Sequence, residues 1–433
     1  MLLAGNQNLF IYKQEMEKIV SIFVIEWNIH FQYNEYIYFS GKGVEDMNEE
    51  KRKVKSVSLE TFVFLGILVV VFGFIGRQMG VGIMFSVMMN TAHDLLLNTV
   101  FFIMALAVLA GALSALLSEF GVIALINKLL SIFVKPLYGL PGASIIGAIA
   151  TYLSDNPAII SFAKDKEFQK FFKPYQIPAL CNLGTAFGMG LIVTTFMMSL
   201  GQEYMLPAII GNVAAVVGSI ISVRLMLRFT KKYYANHAQQ EADETHSHEL
   251  TTHREIRDGN IFQRVLDAML EGGKSGVEMG MSIIPGVLII CTFVMLLTFG
   301  PSTDPVTGEA VYLGVAYEGI GLLPALGEKL MFILNPLFGF TDAQAIAFPV
   351  TSLGAVGAAM SLVPRFITEN IITPNDIAVF TAMGMCWSGY LSTHVGMMDA
   401  LGVRKLSSKA IISHTIGGIC AGVVAHFLYV LFV

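Results

Sequence analysis

The chain has 433 residues, of which 55% are hydrophobic and only 14% charged, with a net charge of −5. A soluble domain carries about 25% charged residues, so the composition excludes an ordinary soluble enzyme. A thin, slightly acidic charge spread over loops also leaves no footprint for nucleic acid. Segments of roughly 20 apolar residues recur along the chain, the length needed to cross a bilayer as a helix. The expected class is therefore an all-α polytopic membrane protein whose first partner is the lipid bilayer.

The four cysteines, Cys181, Cys291, Cys386 and Cys420, sit inside apolar segments without a C-x-x-C pair, which argues against a disulfide framework or a zinc ribbon. No P-loop pattern occurs, so the chain does not power itself with ATP or GTP. No arrangement points to covalent or acid–base chemistry, and neither an enzyme nor a cofactor is expected.

Residues 1–46 are rich in Phe, Tyr, Ile and Asn and form neither a secretory signal nor a clean span. Met47 then opens Asn48-Glu49-Glu50-Lys51-Arg52-Lys53, a basic start just before the first span. Two readings stand: a native start at Met47, or an amphipathic extension over 1–58. An extra transmembrane helix follows within 59–78. A glycine-rich piece (81–97), a span (99–117) and an interfacial helix (121–133, with Lys128) come next. Residues 142–162 form a small-residue apolar segment broken by Ser154-Asp155-Asn156-Pro157, and 175–200 a second one carrying Asn182, Gly184 and Thr185. A span at 205–229 ends on Arg224 and Arg228, which can snorkel. The polar linker 230–260 contains His237, His246, His248 and His253. An amphipathic piece (262–279), a span (280–299) and an interfacial stretch (319–334) follow. Residues 341–363 are again small and apolar, interrupted at Thr351-Ser352-Leu353-Gly354, and 377–400 and 410–433 close the chain.

Shifting the sequence by 200 brings its halves into register. Pro136, Leu137 and Gly139 meet Pro336, Leu337 and Gly339; Pro174 meets Pro374; Gly184 meets Gly384; and 15 of the 63 residues from 136 to 198 are identical. The expected domains are thus a first repeat at 81–229 and a second at 261–433, joined by the linker. Lysine and arginine collect in cytoplasmic loops. If 142–162 enters and leaves on one side, then Lys128, Lys135, Lys164, Lys166, Lys170, Lys173, the 230–260 linker and the Arg404-Lys405-Lys409 group are all cytoplasmic. Only Arg77, Lys329 and Arg365 fall outside. The segment then reads as a re-entrant hairpin, each half has an odd number of crossings, and the repeats are inverted. Irregular backbone at membrane depth is tolerated where it is buried in protein or lines a wet cavity. Two facing hairpins near the midplane make a binding site with alternating access.

This order of elements, with Lys135-Pro136-Leu137-Tyr138-Gly139 and the tip Ser154-Asp155-Asn156-Pro157-Ala158-Ile159, resembles the concentrative nucleoside transporters. It is also similar to the wider Gate (nucleoside-recognition) domain family, which includes the membrane part of the ferrous-iron transporter. The resemblance covers about 95–229 and 276–433. It implies a solute held by the hairpin tips and the unwound span beside them, with a sodium ion by the first hairpin. It places Ser154, Asp155, Asn156, Asn182 and Thr185 at the candidate site.

The residues allow weighing on their own chemistry. Asp155 at membrane depth suits a cation or proton site, against a solvated Asp-Asn-Pro turn. Asn182 and Thr185 share one helix face and either line the site or bond a neighbouring helix. Thr351, Ser352, Ser388, Ser392, Thr393 and His394 form the matching polar set, with His394 a proton relay or a buried structural histidine. The linker histidines His237, His246, His248 and His253 fit a flexible polar linker better than a metal site. The leading expectation is a secondary transporter of a small polar solute, a nucleoside or related metabolite, coupled to sodium or protons. It would sit in a bacterial inner membrane with 47–58 and 230–260 in the cytoplasm, and a homo-oligomer is a candidate state. The alternatives are a divalent metal permease and a non-transporting component of a larger membrane assembly.

Overall fold

The computed structural model describes residues 56–154, 158–164, 166–235, 256–304 and 307–433. Expectations on residues 1–46, Met47, Asp155, Asn156 and the linker histidines His237, His246, His248 and His253 therefore lie outside the described residues. Leu68–Val433, which holds nearly all of the described residues, is one compact unit. Among the described residues the structure is helical, apart from one antiparallel pair, Ser302–Thr303 with Ala310–Val311. Six helices are long and apolar enough to cross a bilayer, and the all-α polytopic membrane class holds.

Helix α1 (Leu59–Met79) exposes Phe62, Val63, Leu65, Val69 and Val70, the pattern of a lipid-facing span. The next element differs from the expectation of a separate glycine-rich piece and span. It is one helix, α2 (Val81–Glu119), 39 residues long. The polar residues within its apolar run have partners. Asn90 Nδ2 donates to Gly314 O at 2.8 Å, Thr91 Oγ1 accepts from Tyr317 N at 2.9 Å, and Asp94 accepts from the Tyr317 hydroxyl. A loop more than 200 residues away thus satisfies them. A π-helical turn, Leu95–Val100, runs through the middle. The same happens in the second half: α9 (Ile261–Thr298) is continuous over 38 residues, with a π turn at Val287–Cys291 just after Pro285. Proline lacks the N–H that an α-helix requires, and a wider turn beside it absorbs the mismatch.

Helices α2 and α9 pack at backbone distance. A Cβ on Gly111 would lie 2.3 Å from Gly272 O, one on Gly272 2.2 Å from Gly111 O, and one on Gly276 2.4 Å from Ala107 O. Gly272, Gly276 and Gly280 recur every fourth residue, so they line one face of α9. Glu119 closes the end of this pair. Its buried carboxylate accepts from Arg257 at 2.7 Å and Arg264 at 2.6 Å.

The 200-residue repeat is present in the helix boundaries. Helix α3 (Val122–Tyr138) matches α10 (Leu322–Phe338) residue for residue, and each lies between two left-handed glycines, Gly121 and Gly139 or Gly321 and Gly339. The last carbonyls are capped from elsewhere. Arg224 donates to Leu137 O at 2.7 Å and to Pro136 O, so it is held in place rather than snorkelling; Asn375 Nδ2 donates to Phe338 O at 2.8 Å.

After α3 come α4 (Ser144–Leu153) and α5 (Ala158–Lys164). At 1.5 Å per residue they are about 15 and 10 Å long, against a hydrocarbon core of about 30 Å. Ile159 of α5 packs back onto Gly147 of α4, where a Cβ would meet its Cδ1 at 2.1 Å. The pair is a hairpin. The first broken span follows as α6 (Ala179–Phe187) and α7 (Gly190–Ser199), then α8 (Met205–Tyr234). The second half repeats this order with α11 (Ala343–Ser352), α12 (Val356–Thr368), α13 (Pro374–Trp387), α14 (Tyr390–Ala400) and α15 (Ser407–Phe432). The chain bends by 79° between α10 and α11, as entry into a hairpin requires. Three crossings, α6–α7, α8 and α9, separate α3 from α10, so the halves are inverted.

Helix α13 starts with a capping box. Asp376 accepts from Thr373 N at 2.8 Å and from the Thr373 hydroxyl at 2.5 Å. Losing such a cap costs about 1–2 kcal/mol. Asp376→Ala is therefore expected to lower the midpoint of thermal unfolding in detergent, with Asp376→Asn losing less.

Candidate functional site

Both broken spans unwind at a left-handed residue. Met189 (φ 56°) ends the break between α6 and α7, and Ser388 (φ 36°) with Gly389 (φ 72°) forms the one between α13 and α14. Ser388 is buried there. The second hairpin tip is stitched to this break: Gly389 N donates to Ser352 O at 2.9 Å and Leu391 N to Leu353 O at 3.2 Å. A Cβ on Gly389 would sit 3.0 Å from Gly354 O, so glycine serves both the positive φ and the close approach. In the first half the hairpin meets its broken span through Ile159 against Gly184 and Tyr152 against Gly190.

Breaking a helix frees backbone carbonyls, and one of them organises the junction of the two halves. The break after Trp387 leaves Cys386 O without its helical donor, and His414 Nε2 of α15 lies 2.6 Å from it. A carbonyl only accepts, so this assigns the proton of neutral His414 to Nε2. Its Nδ1 is then an acceptor and takes a hydrogen bond from Ser222 Oγ of α8 at 2.8 Å. Ser222 Oγ accepts in turn from Asn182 Nδ2 at 3.0 Å, and the same amide donates to Ala410 O at 3.1 Å. Asn182, Ser222, His414 and His394 are all fully buried. The His394 ring of α14 is centred 4.7 Å from His414, with Tyr390 edge-on at 5.7 Å. Tyr390 itself bonds Thr415 Oγ1 at 2.6 Å.

Small residues let these helices close on the pair. A Cβ on Gly218 of α8 would lie 2.5 Å from Gly417 O of α15, and one on Gly418 2.0 Å from Trp387 Nε1. The junction still carries unmet polar atoms among the described residues: both ring nitrogens of His394, Asn182 Oδ1 and Thr185 Oγ1. An unsatisfied buried polar group costs about 1–3 kcal/mol. Such a concentration marks a place where something else bonds them.

The structure thus joins Asn182 and His394 through two residues that sequence reasoning passed over, Ser222 and His414. His414 carried a signal, since an ionisable residue inside an apolar span is functional by default. Other candidates sit apart from this chain of bonds. Thr351 Oγ1 bonds Ala347 O at 2.7 Å and Ser352 Oγ bonds Pro349 O at 2.9 Å, both within their own helix. Half-buried Thr393 reaches Gly389 O at 3.4 Å, and the side chain of Ser392 lies outside the described residues. Ser154 Oγ bonds Ala150 O at 2.6 Å and borders a cleft of about 390 Å³ between the first hairpin and the α2–α9 pair, where Arg257 and Glu271 also reach. Asp399 faces Arg404 at 3.6 Å near the end of α14. Among the described residues no group of three His, Cys, Asp or Glu side chains is arranged to hold a metal.

No family model and no curated protein matches the chain. Solved structures match over most of its length. A structure of CNTnw in an inward-facing substrate-bound state is 14% identical, with a TM-score of 0.48, covering 85% of this chain and 87% of that one. A CNTnw variant in an outward-facing state is 14% identical, with a TM-score of 0.47 over 86% of this chain and 85% of that one. Another variant, in an intermediate state, is likewise 14% identical at 0.47, over 86% and 88%.

Proposed function

We propose that the chain is a secondary transporter, a carrier and not an enzyme, of a small polar solute in the nucleoside or related-metabolite class. Transport is coupled to sodium or protons and alternates in access between the two hairpins. The observation that carries this reading is the junction itself. The two broken spans, with α8 and α15 between them, bring Asn182, Ser222, His414 and His394 together at membrane depth, fully buried and only partly satisfied. A purely structural core gains nothing from unpaired imidazole nitrogens. In this reading 81–229 and 261–433 are the working repeats, and the kinship with Gate-type proteins rests on the motifs around Pro136 and Ser154. The protein sits in a bacterial inner membrane with 47–58 and the 230–260 linker in the cytoplasm.

The test is counterflow of labelled nucleosides and nucleobases by the full chain in liposomes, which needs no driving ion. Exchange of one of them supports the reading; absence of exchange across the panel, with a folded protein, overturns it. Asp155→Asn is expected to cut gradient-driven uptake at least about tenfold, because an acid inside an apolar segment is functional by default. Unchanged uptake would return Asp155 to turn chemistry.

A further inference from the structure

We propose that the His394–His414 pair is the coupling site and that the coupled ion is a proton. This rests on the transport reading above and goes beyond it by choosing the ion and the groups that carry it. The argument starts from the direction of the hydrogen bonds. With His414 neutral, every donor in the chain has an acceptor: Asn182 to Ser222, Ser222 to His414 Nδ1, His414 Nε2 to Cys386 O. With His414 protonated, Nδ1 must donate, and Ser222 Oγ can accept it only by turning its own hydroxyl proton elsewhere. Asn182 offers that acceptor. Its Oδ1 has no partner among the described residues, and turning the amide over brings it to Ser222 at the expense of the bond from Nδ2 to Ala410 O. The same heavy atoms therefore give Ser222 an acceptor in either protonation state of His414, and the change is relayed to the amide of α6, which trades its bond to Ala410 O for it. His394 adds a second ring 4.7 Å away whose nitrogens make no well-formed hydrogen bond among the described residues. Two positive rings at that distance repel, so the pair holds one proton at a time.

The surrounding groups fit a proton better than sodium. Tyr390 faces His394 from its own helix and His414 faces it from α15. On the elements packed around the pair, the thiols of Cys386 in α13 and Cys181 in α6 are buried, and Cys420 lies six residues on from His414. Asp399, five residues along α14, faces Arg404 at 3.6 Å. Asp376 is ten residues back from Cys386 along α13, about 15 Å, and is held by Thr373. His426 bonds Asn375 at 2.8 Å, and Arg224 of α8 is occupied by Leu137 O. Sodium, a hard cation, takes oxygen donors, whereas the unmet atoms of the rings are imidazole nitrogens and the two unmet oxygens, Asn182 Oδ1 and Thr185 Oγ1, both lie on α6. The proton adds to a ring-nitrogen lone pair from water on one side and leaves to water on the other. The ring returns to neutral, no electrons move, and one positive charge crosses per cycle.

Two measurements on the full chain test this. In nanodiscs with nitrogen-15 histidine, one imidazolium signal that vanishes in H414Q or H394Q is expected to appear as the pH falls from about 8 to about 4. A pair that stays neutral across that range overturns the proposal whatever the protein carries. In liposomes without sodium, an inward gradient of about one pH unit is expected to drive tritiated uridine to about tenfold accumulation at one proton per solute. In H414Q the gradient is expected to give no gain over that variant's own gradient-free rate. Uridine counterflow with accumulation only on a sodium gradient overturns proton coupling and leaves the transport reading standing. Absence of all counterflow removes the transport reading and the coupling with it, and the histidine spectrum tells the two failures apart.

Discussion

Replacing Gly276 by alanine is expected to destabilise the fold by about 1–3 kcal/mol, and by leucine by more than about 3 kcal/mol, while Gly273→Ala is tolerated. The three substitutions are one residue type on one helix, so propensity does not separate them. In an exposed position each glycine-to-alanine change would gain about 1 kcal/mol. What separates them is the neighbour. A Cβ on Gly276 lies 2.4 Å from Ala107 O and 2.5 Å from both Ala107 C and Val108 Cα, all backbone that cannot rotate away. A Cβ on Gly273 meets only Val108 Cγ1, at 3.5 Å, an ordinary contact. Inside a bilayer lipid tails compete with side chains for every apolar surface, so helices associate through close backbone packing. The α2–α9 contact is built that way from Gly111, Gly272 and Gly276. Thermal unfolding midpoints in detergent measure the order. Equal effects at 273 and 276 would mean that the two helices are not held at backbone distance.

That contact also marks what could be read from the chain alone. The offset of 200 was legible because its carriers are residues with backbone consequences. Pro136 and Pro336 fall at the same place in α3 and α10, and Gly139 and Gly339 take φ of 74° and 71° at their ends. The hairpins followed from the lysine distribution, a signal set by the membrane. The continuity of α2 is not legible in the sequence because the groups that satisfy Asn90, Thr91 and Asp94, on Gly314 and Tyr317, lie more than 200 residues away. The junction was half visible. Asn182 and His394 stood out as polar residues in apolar spans, but what connects them is long-range: Ser222 lies 40 residues from Asn182 and 192 from His414. Nor does the sequence tell which serine and threonine hydroxyls are spent on their own helix, as those of Thr351 and Ser352 are.

Asn182→Leu is expected to leave the fold within about 1 kcal/mol of the parent and to cut the counterflow rate about 100-fold. Leucine has nearly the shape of asparagine, so no cavity opens. Ser222 Oγ and Ala410 O lose a donor, which costs, but the unmet Oδ1 disappears as well, which offsets much of that cost. Stability is therefore a poor reporter of this residue. Transport is a good one, because the amide is the group whose free oxygen is available to a solute and whose orientation follows Ser222. Two hydrogen bonds of about 1.5 kcal/mol each account for a loss of that size. Thr195→Val supplies the contrast. Its hydroxyl bonds only Leu191 O and Ile192 O of its own helix, at 2.8 and 3.2 Å, so its removal is expected to change neither quantity by more than about twofold or 0.5 kcal/mol. Rates are compared per folded protein, measured by initial exchange in liposomes. If Asn182→Leu exchanges solute at the parent rate while Thr195→Val does too, the amide serves only to pack α6 against α8 and α15, and the binding centre must lie nearer the hairpin tips.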